Sequence, residues 1–214
     1  CEKTQLDGTK KRTGIDYIPC NDFSFMIQCW IQPFVRHCAK AVSGIKVYTA
    51  LDTYFAMARG YQGESGDVKA LAMKKWFNTN YHYIVPEAED DTKIALVGEK
   101  LWEEYEEAKA LGIETKPVLT GPYTLLKLCR YTGSKTADDF TDAVIAAYQQ
   151  VLEKCAAHRI MWLQLDEPAL VRDLSKRRYC TSFIKFMKMY CLAKRQSRFC
   201  YRRTSAMCVT FIRI

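Results

Sequence analysis

The sequence predicts an α/β protein in which helices cover a parallel sheet, in the form of a partial (β/α)8 TIM barrel. Three observations support this fold class. Apolar or β-branched runs alternate with helical stretches, successive runs begin roughly 30 to 45 residues apart, and most runs end in a loop rich in Pro or polar residues. A closed barrel needs about eight strands, and only about five are visible, so we expect an incomplete barrel.

The predicted strands share apolar or β-branched residues and are bounded by Gly, Pro or polar residues. They are GIDYIP (14–19), IKVYTA (45–50), TNYHYIVP (79–86), TKPVLTGP (115–122) and IMWLQLDEP (160–168). The last is a continuous apolar run, which predicts a strand that is buried on both faces.

Two stretches between these strands have the period of an amphipathic helix. Residues 91–112 place an apolar stripe on one face and end at Gly112, a natural C-cap. Residues 136–158 begin at Thr136, a predicted N-cap with acidic residues in the next turn. A doubly wound sheet is an open alternative, although no G-x-G-x-x-G follows the first strand.

Charge divides the chain into two parts. Residues 176–214 contain 11 of the 32 Lys and Arg and none of the 24 Asp and Glu, so residues 1–175 have a net charge of −3 although the whole chain has +8. We therefore expect a partial barrel at 1–175 and a basic, Cys-rich tail at 176–214. No apolar run reaches the roughly 20 residues that span a bilayer, and we expect a cytoplasmic protein.

The ten cysteines do not indicate a metal site or a disulfide framework. No C-x-x-C spacing occurs, and no histidine pattern typical of metal ligands is present. We expect reduced, structural thiols and no metal bound by this chain. His37 and His158 stand in unrelated contexts. His82, between two tyrosines in a predicted strand, is a candidate barrel-interior residue, although a hydrogen-bonded core histidine is the commoner case.

Two groups at predicted strand ends could carry chemistry. Asp166 or Glu167 could act as a general base or accept a substrate amine. Alternatively, this Asp-Glu-Pro caps the next helix and binds neighbouring backbone amides. Lys74 and Lys75, which precede Trp76, could hold an anionic ligand. The competing interpretation is a helix C-terminus where both lysines complement the helix dipole.

Five motifs resemble, in order and spacing, the N-terminal half of cobalamin-independent methionine synthases. They are GIDYIPCNDFSF, LDTYFAMARG, MKKWFNTNYHYIVPE, KPVLTGPYTLLKL and WLQLDEPALV. The resemblance implies two face-to-face (β/α)8 barrels and methyl transfer from 5-methyltetrahydropteroyl-polyglutamate to homocysteine, which gives methionine.

The resemblance also implies which residues act. Zinc in the C-terminal barrel, held by His, Cys and Glu, activates the homocysteine thiolate, and cobalamin is not used. That barrel is not in this chain, so we expect an N-terminal fragment that is inactive alone and has no catalytic residues of its own. Lys75, immediately before the Trp-Phe pair, is expected to contact the folate polyglutamate. A second folate-contacting stretch of the family, bearing Arg, Glu and Lys, has no match here.

The resemblance stops abruptly at residues 1–13, 26–43 and 176–214, and a reading-frame shift is our hypothesis for each break. With synonymous codons chosen freely, regrouping the nucleotides after Phe199 gives LLQTYFGDVRDVYSD, which is similar to the family's next strand and loop. The same operation converts MIQCWIQPF to YDPVLDTAF and QLDGTKK to NWTEQK. The tail at 176–214 is then a frame-shifted continuation of the barrel.

A different function follows if the basic tail is real. KRRYCTSFIKFMKMYCLAKRQSRFCYRR mixes basic and aromatic residues, which is typical of surfaces that combine stacking with phosphate contacts. A nucleic-acid-binding module is therefore the alternative function, and a membrane-surface helix is a third interpretation of the tail. The family resemblance favours the methyltransferase, for which we expect neither a nucleic-acid nor a membrane partner.

Overall fold

A computed structural model describes residues 14, 18–21, 52, 55–56, 59–63, 66–96, 98–171, 185–186, 188, 198–203 and 208–213, with the backbone alone at 171, 198–203 and 208–213. These residues form a mixed α/β structure with parallel strand pairing. The predicted α/β class is confirmed, and the described part contains no closed barrel. The predicted strand at 45–50 lies outside the described residues. None of the described helices has the length and apolar character needed to cross a bilayer.

The helices and strands follow one another in this order: β1 Ile18–Cys20, β2 Met73–Lys75, β3 His82–Ile84, β4 Glu87–Ala88, α1 Lys100–Ala110, β5 Thr115–Thr120, α2 Pro122–Leu128, β6 Arg130–Tyr131, α3 Thr141–Ala157, β7 Trp162–Asp166, a 3₁₀ helix Pro168–Val171, β8 Arg198–Arg203 and β9 Cys208–Arg213.

The main sheet has the strand order β1-β5-β7-β9-β8. Strands β1, β5 and β7 run parallel, with Ile18 opposite Thr115 and Val118 opposite Gln164. Parallel neighbours require a crossover connection, and α3 lies in the connection between β5 and β7. The strands predicted at 14–19, 115–122 and 160–168 are therefore confirmed as elements of a parallel sheet.

One strand of the main sheet, β9, runs against the others, and the edge strand β8 again has the direction of β7. β9 pairs antiparallel with β7, with Val209 opposite Asp166 and Arg213 opposite Trp162, and β8 pairs antiparallel with β9. The parallel order of the sheet thus ends at β7. Both antiparallel strands come from the segment 176–214, in which the sequence pattern predicts no strand.

One face of the sheet packs against the helices and forms the core. Tyr105 of α1 and Tyr148 of α3 are almost completely buried, and the Tyr148 hydroxyl donates a hydrogen bond to the carbonyl oxygen of Thr120. The strand residues that share this core are Leu119, Leu163 and Leu165. Burying such large apolar side chains contributes roughly 1.5 to 3 kcal/mol each.

The opposite face of the sheet is only partly covered at β7. Trp162, Gln164 and Asp166 are half-buried, whereas Leu163 and Leu165 between them are buried. The prediction that strand 160–168 is buried on both faces is therefore wrong. In the neighbouring strand β5, by contrast, Val118 and Thr120 are buried on that same face.

Both predicted helices form but begin later than their apolar periodicity suggests. Gly98 has φ +104°, a conformation that interrupts a helix, and α1 starts at Lys100 instead of residue 91. The prediction of Thr136 as the N-cap of the second helix is wrong. The Asp139 carboxylate accepts hydrogen bonds from the Thr136 N–H (2.8 Å) and hydroxyl (2.9 Å), which closes a separate turn before α3.

The strand predicted at 79–86 forms only at His82–Ile84 and does not join the main sheet. It pairs antiparallel with β2 in a two-stranded sheet of its own. The polar turn between the two strands folds the chain back, since Thr79 donates its hydroxyl to the Trp76 carbonyl oxygen at 2.6 Å and Phe77 adopts φ +51°. A hairpin thus replaces the expected parallel strand.

Candidate functional site

The hairpin formed by β2 and β3 presents the lysines that the sequence singles out. Lys74 and Lys75 are both exposed, and Lys75 lies directly opposite His82. Adjacent residues of a strand point to opposite faces, so the two ammonium groups diverge. The helix C-terminus interpretation of these lysines is wrong, because both belong to strand β2.

Aromatic side chains support the hairpin from one side. The Trp76 ring makes edge contacts with Phe77 (5.1 Å between centroids) and with Tyr83 (5.8 Å). Tyr83 is buried, and its hydroxyl donates a hydrogen bond to the Leu128 carbonyl oxygen at 3.4 Å. The dense aromatic sequence around Lys75 therefore anchors the hairpin on α2, and the lysine extends from a fixed base.

Lys75 has no hydrogen-bond or ion-pair partner among the described residues. Several other described lysines have one: for example, Lys100 contacts Glu104 at 2.9 Å, and Lys185 contacts Asp142 at 2.8 Å. An exposed ammonium without a carboxylate partner is available to an anionic ligand. Lys74 is also exposed, so a carboxylate contact at Lys75 in particular stays a prediction.

The partly covered face of the main sheet carries a second polar group, formed by Lys116, Gln164 and Asp166. The Gln164 amide donates a 2.9 Å hydrogen bond to the Asp166 carboxylate. Desolvation raises the pKa of Asp166, although this amide and Lys116 oppose the change. Desolvation also lowers the pKa of Lys116, opposed by Asp166. A carboxylate with a raised pKa suits proton transfer, so the general-base interpretation of Asp166 stays a prediction.

Glu167 has a different role from its neighbour. It is completely buried, and its carboxylate accepts hydrogen bonds from the backbone N–H groups of Tyr123 (3.0 Å) and Thr124 (2.7 Å). These are unpaired amides of the first turn of α2, whose N-cap Gly121 has no side chain to bind them. The Glu167 carboxylate therefore binds backbone amides. These amides belong to α2, which follows the neighbouring strand β5, and not to the helix that follows Glu167 in the sequence.

The three histidines lie in different surroundings. His82 is half-buried in β3. His158, just after α3, stacks on Trp102 and contacts the Glu106 carboxylate at 2.9 Å through Nδ1. His37 lies outside the described residues.

An acidic loop after β4 is fastened to the loop after β6. Asp90 accepts hydrogen bonds from the Ser134 N–H (3.0 Å), the Ser134 hydroxyl (2.9 Å) and the Lys135 N–H (2.8 Å). Backbone donation from Lys135, with help from Ser134, lowers the pKa of Asp90. Because the Asp90 carboxylate is bonded within the protein, its role is to hold the two loops together.

The described residues contain no group of three or more His, Cys, Asp or Glu side chains that could hold a metal ion. Among the described cysteine side chains, Cys20 and Cys155 are buried and Cys129 is partly buried, and each of the three is a thiol outside any disulfide. Burial raises the pKa of Cys155 to about 12, which keeps it protonated. The side chains described here therefore do not fit a zinc site.

Two features of the site were not found from the sequence. Lys116 lies in a predicted strand, and the period-two alternation of that strand could have placed it on the same face as Thr120. Binding of backbone amides by the Asp-Glu-Pro segment was one of the predicted alternatives, but the amides that Glu167 binds are 43 and 44 residues away and have no local signal.

A family model for the N-terminal domain of cobalamin-independent synthases matches residues 3–197. The 5-methyltetrahydropteroyltriglutamate–homocysteine methyltransferase of Streptococcus suis is 52% identical over 166 residues, which cover 77% of this chain and 22% of that protein. Proteins of the same name from Streptococcus thermophilus and Streptococcus pneumoniae are each 50% identical with the same coverage.

This chain spans about a fifth of the length of those relatives, since the aligned part is 22% of each. The family match includes the hairpin with Lys75 and the parallel strands β1, β5 and β7, and it ends just before β8. On this match, the chain belongs to the cobalamin-independent synthase family, within its N-terminal domain.

Proposed function

We propose that this chain supplies the N-terminal part of a cytoplasmic enzyme that transfers a methyl group from 5-methyltetrahydropteroyl-polyglutamate to homocysteine and so produces methionine. The names of the relatives from Streptococcus state these two substrates. The chain contributes folate binding through Lys75, and it is inactive without the remainder of the enzyme.

The exposed ammonium of Lys75 carries this proposal. A polyglutamate tail is a string of carboxylates, and each exposed ion pair with an ammonium adds a modest attraction after screening by solvent. The hairpin holds the lysine on a base fixed by Trp76 and Tyr83. Because its ammonium has no partner among the described residues, binding a carboxylate there breaks no ion pair that the structure describes.

Zinc has no fitting ligand group among the described residues, and the proposed role of Lys75 does not involve it. We place the zinc and homocysteine sites in the part of the enzyme outside this chain. The family is cobalamin-independent by name, and no cobalamin is proposed.

We also propose that residues 1–175 are part of a (β/α)8 barrel and that the tail at 176–214 is its continuation in a shifted reading frame. The parallel strands β1, β5 and β7, with helices on one face, support the first part. The antiparallel pairing of β8 and β9, which lie beyond the family match, supports the second for residues 198–214, whereas residues 176–197 lie within that match.

Resequencing the coding DNA tests the frame proposal directly. We expect single-base insertions or deletions near the codons for residues 1–45 and 176–214, and beyond them an open frame into a second barrel with zinc ligands. An uninterrupted frame that encodes the tail as written would contradict the proposal and would favour a function of the basic tail, including nucleic-acid binding.

Calorimetric titration tests the role of Lys75. We expect the chain to bind pteroyl-triglutamate, and Lys75→Ala to weaken this affinity by about fivefold, the upper range for one exposed charge pair. Lys74→Ala removes the same charge from the opposite face of β2, and we expect no more than a twofold effect. Equal losses in the two variants would show general electrostatics and contradict a specific site.

A further inference from the structure

We infer that His82 and Lys75 form one two-residue site for carboxylates, so that the hairpin binds the glutamyl tail through two donors. The inference rests on the proposed folate-binding role of Lys75 and adds a residue to it. Its basis is the register of the hairpin, which places the two residues directly opposite each other.

The hydrogen-bond pattern makes this cross-strand pair a close one. The Trp76 N–H donates to the Tyr81 carbonyl oxygen and the Val85 N–H donates to the Ala72 carbonyl oxygen, each at 2.7 Å. In an antiparallel ladder, hydrogen-bonded and non-hydrogen-bonded pairs alternate. The pair next to Trp76 and Tyr81 is Lys75 and His82, so it is a non-hydrogen-bonded pair. Its Cα atoms are roughly 4.5 Å apart, and its side chains lie on one face.

Neither Lys75 nor His82 has a polar partner within the described part of the chain. His82 makes no hydrogen bond or ion pair there, and the same holds for Lys75. The charged group that faces His82 across the hairpin is Lys75, while Lys74 lies on the other face. The nearest acidic residue along the chain, Glu87, contacts Arg130 at 3.4 Å. Within the described residues, the pair thus offers two donors and no carboxylate bonded to either of them.

The chemistry of the pair fits a ligand with closely spaced carboxylates. The ammonium of Lys75 is a permanent cation, and the imidazole of His82 donates an N–H bond in either protonation state. Two donors on one face can bind one glutamyl carboxylate together or two neighbouring carboxylates of the tail. Loss of either donor should then weaken binding.

Titration of the full 214-residue chain with pteroyl-triglutamate tests this inference. We expect His82→Ala to weaken the affinity by about two- to fivefold, the range of one exposed polar contact. His82→Gln, which keeps an N–H donor, should restore most of this loss. In the Lys75→Ala background, the effect of His82→Ala should be clearly smaller, a coupling that a merely structural role of His82 would not produce.

The outcomes separate this inference from the proposed function. If His82→Ala binds as the wild type does, or if the two effects are additive, His82 is not part of a shared site, and a loss confined to Lys75→Ala still supports the role of Lys75. If Lys75→Ala has no effect, the proposed folate site fails. Absence of triglutamate binding by the wild-type chain overturns both. Circular dichroism of each variant shows whether the hairpin mutants retain the fold.

Discussion

The carboxylate of Glu167 accepts a 2.7 Å hydrogen bond from the backbone N–H of Thr124, although 43 residues separate the two in sequence. A second bond, from the Tyr123 N–H, makes the carboxylate the cap of helix α2. Negative charge at a helix N-terminus is favourable because the unpaired amides and the helix dipole both point toward it. This contact joins the ends of β5 and β7.

Glu167→Ala should lower the free energy of unfolding by about 2 to 4 kcal/mol, because it leaves two buried N–H groups without an acceptor. Urea denaturation followed by circular dichroism measures the change. Glu153→Ala removes an exposed carboxylate from α3 and should change stability by less than about 0.5 kcal/mol. Equal stability of the two variants would show that the cap contributes little.

Gly121→Ala should destabilise the protein through contact with the same carboxylate. A Cβ atom at Gly121 would lie 2.1 Å from the Cδ atom of Glu167, which is fully buried and cannot move away easily. We expect a loss of about 1 to 3 kcal/mol, typical of overpacking. In the Glu167→Ala background the loss should be much smaller, and additive effects in this double-mutant cycle would contradict direct contact.

Acid should weaken the loop fastening formed by Asp90. Hydrogen bonds lower the pKa of this carboxyl below 3.8, so its contribution to stability is complete above that value and disappears as the pH falls through the folded-state pKa. Thermal melts between pH 7 and pH 2 should therefore show a smaller acid-induced decrease for Asp90→Asn than for wild type. Asp67→Asn, at an exposed position, should follow the wild-type profile.

Cysteine alkylation should distinguish two of the described thiols. Cys155 is buried and its pKa is raised to about 12, so almost none of it is thiolate at pH 8. Cys129 is only partly buried. With iodoacetamide and peptide mass spectrometry, we expect labelling of Cys129 well before Cys155 in the native chain and similar rates in urea. Equal native rates would mean that the core around α3 opens readily.

The elements that the sequence predicts well are those with strong local patterns. The apolar run of β5 and the stripe of α3 both appear, because nearly continuous burial determines the first and burial of one helix face determines the second. The helix starts were predicted too early, since a positive-φ glycine and the Asp139 turn outweigh the apolar periodicity.

The candidate site was predicted only in part. Lys75 was singled out through the family motif; the structure places it exposed on the hairpin, and its ligand contact stays a prediction. The hydrogen bonds of Glu167 join segments that are far apart in sequence, and β3 pairs with β2 only because the chain reverses direction between them. The periodicity of apolar residues within one segment does not show which segments contact each other, so both features were found only in the structure.

Strand β9 runs antiparallel to β7, and this direction determines at which edge of the sheet the chain leaves β9. In a parallel sheet every strand delivers its following loop to the same rim, where Asp166 and Thr120 end. β9 begins at that rim, beside Asp166, and ends at the opposite rim, with Arg213 beside Trp162. Polypeptide continuing from Arg213 would therefore start at the wrong rim to extend the strand–helix alternation. A single reversed strand is enough to exchange the two rims for everything that follows it.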